Sequence, residues 1–166
     1  MAKIDKQTKG KQASVDGFAH EHIVCGILMK KYQNVSLVDL PLSTYDIIIV
    51  FKDSSKKENI IRAQAKTATK SISFTGGVRG GIDRTYKSDV KKYKQSTTTS
   101  DVVIGIHPKG LDAFDLYFVP TCIIEILKQS SISIGKLEKL KNNFEILEHC
   151  KDKEFILKKF KEFGII

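Results

Sequence analysis

The chain has 166 residues, 41% hydrophobic and 28% charged, enough for one domain with a sizeable core, too few for two, and unlike a disordered protein. Lys and Arg outnumber Asp and Glu by 28 to 19, for a formal charge of +9 and a pI near 9.4; this favours polyanionic partners bound in a salt-sensitive way, although an Ile- and Lys-rich background would give part of the same excess. Cys25, Cys122 and Cys150 are far apart with no CxxC pair, which argues against structural zinc. Cys25 and Cys122 lie in apolar runs as small core residues, and a reducing compartment fits. Met1 to Ser14 is polar and Lys-rich with no apolar stretch for a signal peptide, and the run Ile47 to Phe51 is too short to cross a bilayer. A cytoplasmic protein without membrane contact is expected.

In chain order, Asp16 can cap a helix running to about Lys31, with Phe18, Ile23, Val24, Ile27 and Leu28 at helical spacing. One stripe of it carries Glu21, Cys25, Leu28 and Tyr32. Glu21 therefore sits on or beside a face that looks buried, where an acid needs a partner or a task. Two β-rich runs follow, Val35 to Leu40 and Tyr45 to Phe51, joined by Pro-Leu-Ser-Thr as a hairpin. The second is apolar on both faces and reads as a central strand. After a charged turn, Lys52 to Asn59, comes a third strand, Ile60 to Ala68. Thr69 to Arg84, rich in Gly, Ser, Thr and basic residues, reads as a long loop. A short helix, Lys87 to Gln95, is expected next, then strands Val102 to His107 and Asp115 to Val119. Helices Thr121 to Gln129, Ile134 to about Glu148 and Asp152 to Phe163 complete the chain, with Phe155, Ile156, Phe160 and Phe163 as an apolar stripe in the last. No repeat or linker divides it. The pattern predicts a single α/β (α+β) domain over 1–166, built on a mixed sheet of about five strands flanked by helices.

Chemistry concentrates on the third strand. A period of two puts Arg62, Gln64 and Lys66 on one face and Ile61, Ala63 and Ala65 on the other. Three long polar side chains on one face of an interior strand are costly unless they line a wet cleft. Asp46 opens the neighbouring strand, so pairing can bring it beside Gln64 and Lys66, with Glu21 on the preceding helix facing the same pocket. Such a set suits phosphodiester hydrolysis. Asp46 and the Gln64 amide oxygen can ligate a hard cation such as Mg²⁺, and Lys66 can orient the attacking water and offset charge on the phosphorane.

A helix bearing Glu21, a hairpin with Asp46 at its second strand, and a strand ending in Gln64-Ala65-Lys66 resemble the PD-(D/E)XK nuclease superfamily, most closely its small type II restriction endonucleases. Tyr93 and Gln95, Asp101 to Ile106 and Asp115 to Pro120 fall where that family's later core elements lie, so the likeness spans roughly 16–120, with 1–14 as a lead-in and 121–166 as C-terminal helices. The resemblance implies a restriction-endonuclease-like core and a Mg²⁺-dependent endonuclease (Mn²⁺ a possible substitute). It implies double-stranded DNA as substrate, a homodimer for a palindromic site, and Glu21, Asp46, Gln64 and Lys66 as catalytic residues, with Asp46 and Gln64 on the metal. Two departures stand out: Tyr45 replaces the family's Pro, and Gln64 replaces its second acid. The second leaves three alternatives open. The site manages with Gln, Glu21 supplies the missing charge, or only DNA binding remains. A structure-specific nuclease resembling a Holliday-junction resolvase is the other reading within the family.

Lys70, Arg79, Arg84, Lys87 and Lys91 follow the proposed ligands closely, interspersed with Ser and Thr, and suit DNA contacts. His20 and His22, at i and i+2 on a helix, point to different faces. His107 and His149 have no evident partner. Gly76-Gly77 and Gly80-Gly81 lack the setting and Lys-Ser/Thr of a nucleotide-binding loop, so no nucleotide cofactor is expected. Arg79, flanked by glycines, is suited to bond a guanine edge bidentately as Gly76 to Arg84 orders on DNA. Arg79→Ala is then expected to weaken binding to the cognate sequence more than to random duplex in a titration; equal loss on both would reduce Arg79 to a phosphate contact.

Overall fold

The computed structural model describes residues 6–40, 43–53, 55–76 and 92–166, with side chains from residue 10 onward. Its frame is a five-stranded mixed sheet in the order β1 (Asn34–Leu37), β2 (Ile47–Lys52), β3 (Glu58–Thr67), β7 (Val102–Pro108), β8 (Phe114–Pro120). All neighbours are antiparallel except β3 and β7, which run parallel. A parallel pair cannot be closed by a hairpin. The chain between them carries β4 (Ser71–Ser73), β5 (Thr75–Gly76) and β6 (Tyr93–Lys94). β7 is buried from Val102 to Ile106, as expected of a strand covered on both faces.

The first helix, α1 (Lys6–Met29), begins ten residues before Asp16. Asp16 does not cap it; from inside the helix its carboxylate accepts from Gln12 Nε2 at 2.8 Å, an i,i+4 pair. Lys, Gln and Ala are good helix formers, and with no Pro between Lys6 and Asp16 the helix runs on through Gly10. Val24, Cys25 and Leu28 are buried with Tyr32 just beyond, while Glu21 is half-buried. The Tyr32 ring meets Phe51 at 5.5 Å and Phe144 at 6.5 Å, tying the end of α1 to β2 and to the C-terminal third.

Register sorts the two faces of the sheet. Ile47 lies opposite Ala63 and Ile49 opposite Ile61, so these four and Ala65 share one apolar face. Asp46, Gln64 and Lys66 fall on the other.

The crossover departs from expectation. Thr69 to Arg84 is no continuous loop, since β4 pairs with β9 (Ser131–Ser133) and β5 pairs with β6. The helix expected over Lys87 to Gln95 gives way at its C-terminal end to β6, whose pairing continues as Gln95 N donates to Phe74 O at 2.7 Å. Tyr93 covers Gly76 so closely that a Cβ there would lie 2.5 Å from its ring, so the aromatic ring and the glycine select the strand over the helix. Residues 77–91 lie outside the described residues, and with them Arg79, Arg84, Lys87 and Lys91.

In the C-terminal third, α2 (Thr121–Leu127) and α4 (Lys153–Glu162) stand near their expected places, with Asp152 capping α4 by accepting from Phe155 N at 3.1 Å. The helix expected over Ile134 to Glu148 is split into a 3₁₀ helix, Ile134–Leu140, and α3 (Phe144–Glu148). The break falls at Asn142, in the left-handed region at φ 53°. Its main-chain N donates to Leu116 O at 2.7 Å and its Oδ1 accepts from Leu116 N at 2.8 Å. Pairing with β8 outweighs continuing the helix. Among the described residues no helix is long and apolar enough to cross a membrane. Cys25, Cys122 and Cys150 are buried free thiols.

Gly105, opposite Lys66 in the β3–β7 register, lets the second layer approach. A Cβ there would lie 2.4 Å from Ile72 Cδ1 and 2.7 Å from its Cγ1, and Ile72 is fully buried on β4. Gly105→Ala is expected to destabilise the fold by about 1–3 kcal/mol through overpacking. Ile72→Val, which deletes Cδ1, should recover part of that in the double variant. Urea unfolding of the three variants checks the coupling; simple additivity would mean that Ile72 is not what Gly105 accommodates.

Candidate active site

The site forms where β2 and β3 part. Asp46 precedes β2 and its main chain is held on both sides: its N donates to Ala63 O at 2.9 Å and its O accepts from Val38 N at 2.8 Å. With the backbone fixed, the side chain reaches along β3. Its Oδ2 accepts from Ala65 N at 2.9 Å and also from Gln64 Nε2. A carboxylate thus takes the β3 amide that a strand neighbour would otherwise satisfy.

Glu21, from α1, joins this acid. Its carboxyl is pushed up to about 7, first by burial and then by the Asp46 carboxylate, against the opposing pull of Lys66 and His22. Asp46 is itself raised by burial, with the Ala65 amide and the Lys66 charge pulling it down. The Tyr93 hydroxyl is raised by burial and by Asp46. Glu21, Asp46, Lys66 and Tyr93 therefore share one electrostatic environment, drawn from α1, the β1–β2 hairpin, β3 and β6. The structure brings Glu21, Asp46, Gln64 and Lys66 together.

Gln64 is in the cluster with its amide oxygen turned elsewhere. Its Nε2 faces Asp46, and its Oε1 lies 3.2 Å from Gln95 Nε2. Gln95 is 1% exposed and fully engaged: Nε2 also donates to Thr44 O at 3.2 Å, and Oε1 accepts from Thr99 Oγ1 at 2.6 Å and Ser100 Oγ at 2.8 Å. Thr44 Oγ1 in turn donates to Thr99 O at 2.6 Å. Sequence reasoning placed Gln95 on a helix and gave Thr44 no role. The available signal was the run Gln95 to Asp101, seven consecutive polar residues directly before the apolar β7.

Arg62 does not line the cleft with Gln64 and Lys66. It clasps Asp101, with NH2 to Oδ1 at 2.8 Å and Nε to Oδ2 at 3.3 Å, while Asp101 Oδ2 also accepts from Arg62 N at 2.8 Å. This joins the start of β7 to β3, a structural duty. Lys70 is exposed, just past β3. His20 and His22 turn to separate partners as expected: His20 Nδ1 shares a hydrogen bond with Thr67 Oγ1 at 2.8 Å, and His22 Nδ1 donates to Phe18 O at 2.9 Å. His107, without an evident partner in the sequence, donates from Nδ1 to Ala68 O at 2.7 Å, and His149 stacks on Phe155 at 4.5 Å.

No protein-family model matches this chain, and no curated protein matches it. Among solved structures, a bacterial homing endonuclease, I-Ssp6803I, is similar at 15% sequence identity over 72% of this chain and 76% of that one, with a TM-score of 0.48.

Two carboxylates held close enough to repel, partly desolvated, with oxygen donors alone, form the kind of set a hard divalent cation takes while keeping several waters. Among the described residues no cluster of three or more His, Cys, Asp or Glu could hold a metal ion, and this site offers two acids.

The raised Glu21 carboxyl has a consequence for the metal-free protein. Between an ordinary value near 4.5 and the folded value of about 7, the folded state keeps a proton that the unfolded chain releases. Stability contributed by this group is therefore lost as pH rises through that window. In EDTA, Glu21→Gln is expected to gain melting temperature relative to wild type from pH 5 to pH 7.5 and to level off above. Asp46, also raised, leaves a residual slope in both proteins. Parallel melting curves across the range would show that Glu21 ionises without penalty.

Proposed function

We propose that this protein is a Mg²⁺-dependent endonuclease that hydrolyses phosphodiester bonds of double-stranded DNA, of the PD-(D/E)XK, type II restriction-like kind, working as a homodimer. The observation that carries this reading is the placing of Asp46 at the parting of β2 and β3, its Oδ2 held by the Ala65 amide and Gln64, with the half-buried Glu21 of α1 and Lys66 of β3 in the same electrostatic environment. The net charge of +9 supports a polyanionic substrate. Lys70, with Arg79, Arg84, Lys87 and Lys91, is assigned to the DNA backbone and base edges.

In this reading Asp46 and Glu21 hold the cation. When bound, Mg²⁺ polarises the scissile phosphate and lowers the pKa of a water. The chain's own groups do the rest. Lys66 orients the attacking water, whose proton passes to solvent as oxygen adds to phosphorus. The Lys66 ammonium faces the charge that grows on the phosphorane. One ester P–O bond then breaks, and the departing alkoxide takes a proton from solvent. Gln64 acts on Asp46 by donating to it, and supplies no oxygen to the metal in the orientation described. Mn²⁺, which accepts the same oxygen donors, is expected to substitute.

Gln64 standing at the place of an acid also favours a second reading, a DNA-binding module without hydrolysis. Plasmid incubated with pure protein in Mg²⁺ and in EDTA separates the two. Metal-dependent nicking or linearisation is expected, and Lys66→Ala should slow it by about 10²–10⁴-fold while leaving duplex binding in EDTA within a factor of three. Binding without cutting in any divalent cation supports the inactive module. Cutting confined to branched junctions, with linear DNA spared, points instead to a resolvase-like enzyme.

A further inference from the structure

We infer that Gln95 is a positioning residue that fixes the rotation of the Gln64 amide, so that nitrogen and not oxygen is presented to Asp46. A role for this in hydrolysis rests on the function proposed above; the orientation itself does not. An amide has a donor end and an acceptor end of nearly equal shape, so only partners can decide which way it faces. Two backbone carbonyls decide it here, because a carbonyl oxygen accepts and never donates.

Thr44 O lies 3.2 Å from one end of the Gln95 amide, which must therefore be nitrogen. The hydroxyls of Thr99 and Ser100 at the other end rotate to suit either arrangement, so they follow the assignment without setting it. With its nitrogen fixed, Gln95 offers a donor to Gln64 at 3.2 Å, and that end of Gln64 must be oxygen. Gln64 nitrogen then faces Asp46, and it also lies 3.3 Å from Ala65 O, a second acceptor-only group that demands the same assignment independently. Both glutamines are buried, at 1% and 6% exposure, so no bulk water offers either amide an alternative.

The chemical consequence is that Asp46 Oδ2 is committed to two protein donors, the Ala65 amide and the Gln64 amide. A residue at the position of a metal-ligating acid is thereby converted into a hydrogen-bond donor to the remaining acid. Reversal of Gln64 would turn its oxygen toward the Asp46 carboxylate and the Ala65 carbonyl, acceptor against acceptor, and its nitrogen toward the Gln95 nitrogen, donor against donor; Gln95 is what holds the oxygen end. Thr44 sits on the same hairpin as Asp46, so the hairpin that carries the acid also sets, through Gln95, the amide that restrains it.

The orientation is read by NMR on metal-free, ¹⁵N-labelled full-length protein, with no reference to cleavage. A slowly exchanging Gln64 side-chain NH2 is expected, with a nuclear Overhauser contact to the Ala65 amide proton, since both donate to the same Asp46 oxygen. In Gln95→Glu the group facing Gln64 accepts and cannot donate once ionised, so that contact should fall by at least half as Gln64 turns. Its absence from wild type, or its persistence unchanged in a folded Gln95→Glu, overturns the proposal; should the variant fail to fold, the wild-type measurement and the same contact in Thr99→Val/Ser100→Ala, where it should remain, still decide. If the wild type cuts DNA, Gln95→Glu should lower kcat about tenfold or more with KM for DNA within about threefold. If the wild type cuts nothing while the NMR pattern holds, the amide lock stands and the nuclease reading falls.

Discussion

Everything around the site depends on how one carboxylate bridges two strands that are separating. Up to Asp46 the β2–β3 ladder is maintained by backbone pairs; beyond it the side chain of Asp46 takes the Ala65 amide in place of a neighbouring strand. That substitution lets the hairpin peel away without orphaning a buried donor. The gap it leaves is where Gln95 enters from the far end of the crossover and where Glu21 approaches from α1. Parting of strands and gathering of charges are one event. On the other edge of β3, two residues before Gln64, the Arg62–Asp101 clasp ties the strand to the start of β7.

Electrostatically the site is poised by omission. Both acids are raised by burial and Glu21 also by the Asp46 carboxylate, while Lys66 pulls each of them back down. Such an arrangement costs stability to keep charged, and perturbed acids of this kind cluster at functional sites. Gln64 moderates the conflict. A third carboxylate at that position would add to the repulsion, whereas an amide nitrogen relieves Asp46 directly.

The sheet, and the gathering of Glu21, Asp46, Gln64 and Lys66 near one another, were legible because each rests on short-range pattern. Alternation along Ile60 to Lys66 separated Gln64 and Lys66 from the apolar face, and helical spacing set Glu21 beside Cys25 and Leu28. What stayed hidden depends on contacts distant in sequence. Arg62 shares the parity of Gln64 and Lys66, and nothing local says that Asp101, across a parallel pair, will claim it. The run around Tyr93 reads as helical in the sequence but is drawn into a strand by Gly76 and Phe74. Gln95 reads as one more polar residue in a turn until the Thr44 carbonyl is seen beside it. The break at Asn142 is likewise set by β8 and not by the helix that it interrupts.

That break bears on how two copies of the chain can meet. By holding both the amide and the carbonyl of Leu116, with a further bridge from Tyr117 to Lys141, the segment around Asn142 plugs the outer margin of β8. An unplugged margin invites another chain to add itself as a sixth strand. Here that route is blocked at one side of the sheet, and β1 at the other side is only four residues long. A continuous sheet shared between two copies would have only that short β1 edge to run through.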